Sequence, residues 1–347
     1  MNISTSLNLR KIIFTGLTSV FLTAIFTSCG DTIEPEDVVI TTNEQNIDSL
    51  LTNNPDDVNL LVQRGNEFFE NYQYDLAMND AAKAFRLDSL NVSARLLYAE
   101  VLNNRQNRSV EDVSIAQRHY KIVIGKQPKN TKALVGLAST YLFQQDFDRT
   151  FQFVNDALRI DPKYRNAYVL KGTAYLMIDN KKLAISSYET AIQQDPEFYE
   201  AYFILGQIFQ AENDPLCVEY FTSASKLKPD NIEFKYQEAY SKEMFGQFEG
   251  AKENYREMVQ TDDDVYIMRG LFHQGHIQQF EEKNIDSAIY FYQSAIKTDP
   301  RFLEAWFNLG ICHEEKGHLE KAMKSYAKCL EINPEFEAAR IRATKIR

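Results

Sequence analysis

Four stretches of the chain close alike: Ala157-Leu158-Arg159-Ile160-Asp161-Pro162, Ala191-Ile192-Gln193-Gln194-Asp195-Pro196, Ala295-Ile296-Lys297-Thr298-Asp299-Pro300 and Cys329-Leu330-Glu331-Ile332-Asn333-Pro334. Proline disfavours helical φ/ψ in the residue before it, so each Asp-Pro or Asn-Pro reads as the end of a helix. Pro128 and Pro229 end similar stretches, and Ser89 and Asp263 hold the same place without the proline. Counted from Pro55, the ends come at intervals of 34, 39, 34, 34, 33, 34, 37 and 34 residues. A fixed period of this size means that one supersecondary unit is stacked on itself, here about eight times over residues 58–334.

The interior of the unit repeats too. The last copy carries Trp306, Leu309, Gly310, Gly317, Ala322, Tyr326 and Pro334, with His313 where a tyrosine is usual. The fifth carries Tyr202, Leu205, Gly206, Phe209, Cys217, Phe221, Ala224 and Pro229. The fourth has Tyr168, Gly172, Tyr175, Ala184, Tyr188, Ala191 and Pro196, and the third has Leu134, Leu137, Ala138, Tyr141, Ala157 and Pro162. The first is looser, with Leu61, Gly65, Phe68, Ala77, Ala84 and Ser89. This pattern at this period resembles the tetratricopeptide repeat. The resemblance implies an all-α fold, a right-handed superhelical solenoid of antiparallel helix pairs. Small Gly and Ala residues let the helices approach, and large residues fill the notch opposite. Five extra residues around 103–112 should lengthen the loop of the second copy, and the seventh holds three extra. Ile47, Leu50 and Leu51 suggest an added N-terminal helix, and residues 335–347 suit a capping helix with a polar outer face.

Composition agrees. Gly is 13 and Pro is 9 of 347 residues, against typical shares of roughly 7% and 5%, too few for a turn-rich sandwich or barrel. Four Cys, at 29, 217, 312 and 329, do not make a disulfide framework, and no C-x-x-C occurs. The net charge of −11 repels phosphate backbones, which argues against nucleic-acid partners.

The first 28 residues read as an address. Arg10 and Lys11 precede an apolar run, Ile12 to Phe26, which is short for a membrane span and fits a secretory h-region. Small residues then lead into a cysteine: Thr27-Ser28-Cys29-Gly30. This resembles the lipobox of bacterial lipoproteins, although Phe26 stands where Leu is usual. The resemblance implies cleavage before Cys29, its modification with diacylglycerol, and acylation (palmitate) of the new amine. Several acyl chains make a stable anchor where one does not. Residues 29–57 then form the acylated cysteine, an acidic flexible tether and the lead-in helix. Gly30 is not the Asp of an inner-membrane retention signal, so the expectation is an outer-membrane lipoprotein facing the periplasm or the cell surface. The acidic residues after Cys29 also resemble surface-export signals of the Bacteroidota. Asp31-Thr32-Ile33, Asp48-Ser49-Leu50, Asp88-Ser89-Leu90 and Asp286-Ser287-Ala288 resemble O-glycosylation triplets of that group.

In the tetratricopeptide family the first helix of each pair lines a concave face. The matching position holds Val62, Leu96, Val135, Val169, Phe203, Tyr236, Phe272 and Phe307, and four residues later come Asn66, Glu100, Ser139, Thr173, Gln207, Tyr240, His276 and Ile311. An apolar ladder beside a mostly polar one could seat a peptide. The candidate groove is therefore Val135, Val169, Phe203, Gln207, Tyr236, Tyr240, Phe272, His276 and Phe307. The Lys of a carboxylate-binding clamp is missing, because Val62, Leu96 and Val135 stand at its positions. No catalytic motif, cofactor motif or H-E-x-x-H appears. His273-x-x-His276 with Glu281 and Glu282 is the one metal-like group, and it lacks a third ligand at fixed spacing. The expectation is a non-enzymatic, membrane-anchored scaffold without cofactors. It would bind envelope proteins or their peptide segments, drawn by its acidic body if they are basic. A carbohydrate- or metal-binding envelope protein using the aromatic groove is the alternative.

Overall fold

The computed structural model describes residues 42–346, and every regular element among them is an α-helix. The signal segment, Cys29 and tether residues 30–41 lie outside the described residues. The helices are α1 (Thr42–Asn53), α2 (Val58–Glu70), α3 (Tyr74–Leu87), α4 (Val92–Asn104), α5 (Val110–Lys126), α6 (Thr131–Phe143), α7 (Phe147–Ile160) and α8 (Arg165–Met177). They continue as α9 (Lys181–Gln194), α10 (Tyr199–Ala211), α11 (Leu216–Leu227), α12 (Ile232–Met244), α13 (Phe248–Met258), α14 (Asp264–Phe280), α15 (Ile285–Thr298), α16 (Leu303–Glu315), α17 (Leu319–Ile332) and α18 (Glu337–Ile346). None of these is long and apolar enough to cross a membrane.

The chain divides into two compact units after Ile178, within the fourth repeat. In the first unit α2/α3, α4/α5 and α6/α7 are antiparallel pairs, and α8 packs on α7. There α2 also touches α4, α4 touches α6 and α6 touches α8, so the first helices form an inner layer. The lead-in helix α1 carries Ile47 and Leu51, both buried in the first core cluster. In the second unit α10/α11, α12/α13, α14/α15 and α16/α17 pair likewise, α12 touches α14, and α18 packs on α17. The extra residues go mainly into helix. The second repeat's loop spans 105–109, but α5 has 17 residues against 14 for α7, and α14 has 17 against 13 for α12.

Local chemistry sets the boundaries. After three repeat ends an asparagine caps the next helix: Asn91 accepts from the Ala94 N–H at 3.0 Å, Asn130 from Ala133 at 2.9 Å and Asn231 from Phe234 at 3.2 Å. Each such cap contributes about 1 kcal/mol. Inside the pairs, a residue with φ between 56° and 76° turns the chain: Tyr72, Gln145, Asp179, Asn213, Gly246, Lys283 and Gly317. In several of these turns the next N–H reaches back five residues, as from His318 to His313 O at 2.8 Å and Gln73 to Phe68 O at 2.8 Å. This is the Schellman closure of a helix end.

The tryptophan position has a chemical reason. Trp306 Nε1 donates to Pro300 O at 2.9 Å, Tyr168 OH to Pro162 O at 2.9 Å and Arg95 Nη2 to Ser89 O at 2.5 Å. Each ties a first helix to the carbonyl that ended the preceding repeat. Arg340 does the same to Pro334 O at 2.7 Å, so α18 begins as the first helix of a further repeat.

The core is built on close approach. A Cβ added to Gly310 would lie 2.5 Å from the Tyr326 ring, one at Gly206 2.7 Å from Phe221, and one at Gly275 2.8 Å from Tyr292. Those three rings are fully buried, as are Ala288, Ala305 and Ala322. Cys217, Cys312 and Cys329 are unpaired and buried among them, and burial raises their thiols to about 11 or 12. They serve as small apolar groups. Gly125 is the contrast, an exposed helical glycine whose added Cβ would meet nothing within 4 Å. Gly125→Ala should therefore stabilise by about 0.5–1 kcal/mol, whereas Gly310→Ala should destabilise by about 1–3 kcal/mol. Denaturant titration of both variants checks the pair, and equal signs would contradict this packing.

Candidate interaction surface

The buried tyrosines carry hydroxyls that need partners. Tyr292 OH donates to Gln279 Oε1 at 2.9 Å, Tyr326 OH to Glu314 Oε2 at 2.7 Å and Tyr255 OH to Glu243 Oε2 at 2.8 Å. Each acceptor lies seven residues after the position that opens the apolar ladder, on the first helix of the same pair. Burial holds these phenols above their ordinary value, so they stay protonated donors.

At Glu243 this arrangement grows into a cluster. His273 Nδ1 lies 2.9 Å from Oε2 and His276 Nδ1 lies 2.8 Å from Oε1. Tyr236 OH is 3.3 Å from His273 Nε2. Both Nδ1 atoms face the carboxylate and the Tyr236 hydroxyl faces Nε2, so each contact pairs a donor with an acceptor. Burial alone would raise the Glu243 carboxyl. The charges and N–H donors of His273 and His276 outweigh it and bring the group down to about 2.

Aromatic rings surround this centre. Tyr236 and Tyr240 stack with centroids 6.1 Å apart, and His273 lies 5.6 Å from Tyr240 and 5.0 Å from Tyr255. The Arg269 guanidinium sits 5.0 Å from the Tyr236 ring centroid. Phe272 meets His276 at 6.5 Å and Phe302 at 5.0 Å.

The second unit thus brings together Tyr236, Tyr240, Phe272 and His276 of the candidate groove. All four are half-buried, presenting part of their surface. Phe203 is half-buried as well, but meets Phe221 edge-on at 5.6 Å and a tilted Phe234 ring at 4.6 Å. Gln207 is half-buried on α10. Phe307 is different: only 6% exposed, it packs against Tyr326 and Phe336 and belongs to the core. In the first unit Val135 and Val169 are half-buried, Val135 against the cluster of Ala138, Val154 and Ala167.

The centre itself, Glu243, was not among the sequence candidates. Its signal was present as the acidic residue three after Tyr240, opposite a buried tyrosine twelve residues on. The metal-like grouping with Glu281 and Glu282 is replaced by this one: Glu282 pairs with Lys252 and accepts from Gln278 at 2.5 Å. No group of three or more His, Cys, Asp or Glu is arranged to hold a metal among the described residues.

Comparison with known proteins fits the helix pairs. Tetratricopeptide-repeat models match residues 166–198 and 303–336, so the chain carries tetratricopeptide repeats. Tetratricopeptide repeat protein 6 of Homo sapiens is 25% identical over 200 residues, covering 55% of this chain and 37% of that protein. The mitochondrial import receptor subunit TOM70 of Homo sapiens is 21% identical over 296 residues, covering 80% of this chain and 47% of that protein. The chain thus spans less than half the length of these relatives. The C-terminal part of a repeat-containing protein from Cytophaga hutchinsonii superposes with a TM-score of 0.59 at 13% identity, covering 71% of this chain and 98% of that one. The Cut9–Hcn1 assembly of the anaphase-promoting complex gives 0.50 at 14% identity, covering 88% and 59%.

Glu243→Gln should destabilise the second unit by about 2–3 kcal/mol, because an amide cannot accept at both ends. Glu243 is held below the ordinary 4.5. Its contribution is therefore full above that value and is lost as pH falls through about 2. Urea titrations at stepped pH should show a flatter acid limb in the variant, and an unchanged limb would refute the assignment.

Proposed function

We propose that this chain is a lipid-anchored scaffold of a Gram-negative envelope that binds segments of partner proteins on the inner faces of its helix pairs. Proteins built of this repeat mediate protein–protein or peptide interactions. The observation that carries the reading here is the half-exposed aromatic surface of Tyr236, Tyr240, Phe272 and His276 on α12 and α14. Tyrosine-rich patches of this kind supply rigid contact area at low entropic cost. Glu243 holds the His276 ring directly and the Tyr236 hydroxyl through His273 before a partner arrives, which lowers the cost of binding. Anchoring rests on the sequence around Cys29, and the acidic body favours basic or amphipathic segments.

A photo-crosslinking residue at Tyr240 or His276, introduced in cells, should yield protein adducts identifiable by mass spectrometry. The same residue at Tyr290, 65% exposed on a second helix, should yield few. Adducts at Tyr290 alone would overturn the surface. Cys29→Ser should release the chain from membranes and remove the acyl mass from the intact protein. Persistence of either would overturn the anchor.

A further inference from the structure

The first unit holds a polar cluster that the aromatic surface does not use. Glu100 lies on α4 at the ladder position occupied by Tyr240 and His276 in the second unit. It is 6% exposed, and its neighbour is Lys132 of α6, whose Nζ lies 3.0 Å from Oε2. Lys132 itself is a surface lysine, 41% exposed along its side chain. One turn along α4, Asn103 is 1% exposed; its Nδ2 donates to Ser139 Oγ at 3.2 Å, and its Oδ1 has no partner.

Asn103 occupies the acceptor position that Glu243, Gln279 and Glu314 fill elsewhere. The second-helix tyrosine facing it is Tyr120, fully buried against Gly136, with its hydroxyl also unpartnered. Asparagine is one methylene shorter than Glu or Gln, so the direct bond made in three other repeats is not made here. The Asn103 carbonyl and the Tyr120 hydroxyl thus remain orphaned beside a buried carboxylate, with Glu70 adding a second negative charge nearby. Groups left in this way keep the full desolvation penalty of a buried polar atom until a partner arrives.

We propose that Glu100, with Asn103 and Tyr120 behind it, is the seat for a cationic side chain, Arg or Lys, of the bound partner segment. This inference rests on the reading of the chain as a segment-binding scaffold and names the partner's chemistry. Lys132 is the stand-in: its ammonium already takes the place a partner's cation would occupy, and its exposed stem lets it leave. The net charge of −11 favours such a partner at longer range. Guanidinium suits such a seat, since its five donors can serve a carboxylate and a further acceptor at once. The charged and titratable groups around this cluster are Glu70 from α2, Lys132 from α6, the phenols Tyr120 from α5 and Tyr164 at the start of α8, and Arg108 of the α4–α5 loop, which donates to the Asn103 backbone carbonyl at 2.6 Å and acts on Tyr120, leaving the Asn103 side-chain oxygen free. Burial raises the Glu100 carboxyl to about 7 despite Lys132, so the seat is charged above neutrality and empties of charge below it.

The test uses the full chain and three probes, the N-acetyl methylamides of arginine, lysine and norleucine, titrated by NMR at pH 8 and pH 6. The two cationic probes should shift resonances around Glu100, Asn103 and Ser139 at pH 8, with the norleucine probe at least ~10-fold weaker. Binding should weaken at pH 6 as Glu100 takes up a proton. Lys132→Ala should tighten the cationic probes, because it removes the internal competitor. Glu100→Gln should abolish them while the fold, read by circular dichroism and melting, is retained or stabilised. Cationic probes that bind Glu100→Gln as well as the parent, or that Lys132→Ala leaves unchanged or weakens, would overturn the seat, as would no probe binding at all. The crosslinks at Tyr240 and His276 report on the scaffold reading separately, so either can fail alone.

Discussion

The structure depends on one contact, the approach of a first helix to a large residue of a second helix closer than a side chain on both would permit. The rings of Tyr292, Tyr326 and Phe221 sit where a Cβ on Gly275, Gly310 or Gly206 would fall within 3 Å. The glycine or alanine gives up side-chain area, and the ring across from it returns more, since a buried aromatic removes 150–250 Å² from water. Phenylalanine would satisfy this packing alone. Tyrosine adds a hydroxyl that cannot reach solvent, and an unpaired buried hydroxyl costs more than its packing advantage over phenylalanine could offset.

In three pairs, polar residues of the inner layer answer that demand. Opposite Tyr255, Tyr292 and Tyr326 stand Glu243, Gln279 and Glu314. Where the second helix carries Val154 instead, the acceptor position holds Leu142, and both are buried. Where it carries Phe221, Gln210 turns to Gln237 at 3.5 Å. Glu243 goes further because a carboxylate has acceptors to spare. After taking the Tyr255 hydroxyl it accepts two imidazoles, and so converts a packing requirement into an ordered aromatic surface. Asn103 is the opposite case, too short for its tyrosine, and it leaves a carbonyl and a hydroxyl over.

The helix pairs and their ends were legible in the sequence because they rest on local chemistry. Asp161-Pro162 stops a helix wherever it occurs, and the Gly310–Tyr326 spacing places a notch and its filler in register at every copy. The site was only half legible. Tyr236, Tyr240, Phe272 and His276 could be picked out from the ladder, since each occupies a fixed place on a first helix. Glu243 could not, because its role depends on Tyr255 from one helix and His273 and His276 from another. Phe307 looks like Phe272 in sequence, yet Phe336 covers it. Burial of that kind is decided by the segment beyond the last full repeat rather than by the repeat. The extra residues near 103–112 do lengthen the loop, which spans 105–109 against 144–146 in the next pair, but the larger share extends α5, because a stretch that can continue the hydrogen-bonded ladder gains one bond per residue by doing so.

The two polar centres differ in what they can contribute to recognition. In the aromatic surface Glu243, Tyr255, His273 and the Tyr236 hydroxyl satisfy one another, so a partner meets mainly rings and fixed dipoles, and affinity there scales with area covered. Such a surface discriminates poorly, because one apolar side chain replaces another at a cost of only about 1–3 kcal/mol. Around Glu100 polar atoms are left unsatisfied and the carboxylate is paired to a partly exposed lysine. A neutral group entering that seat would strand a buried charge, which is far more costly than a poor apolar fit. On the proposal made above, the buried carboxylate of the first unit would select by what it excludes, whereas the aromatic surface of the second unit would select by area alone.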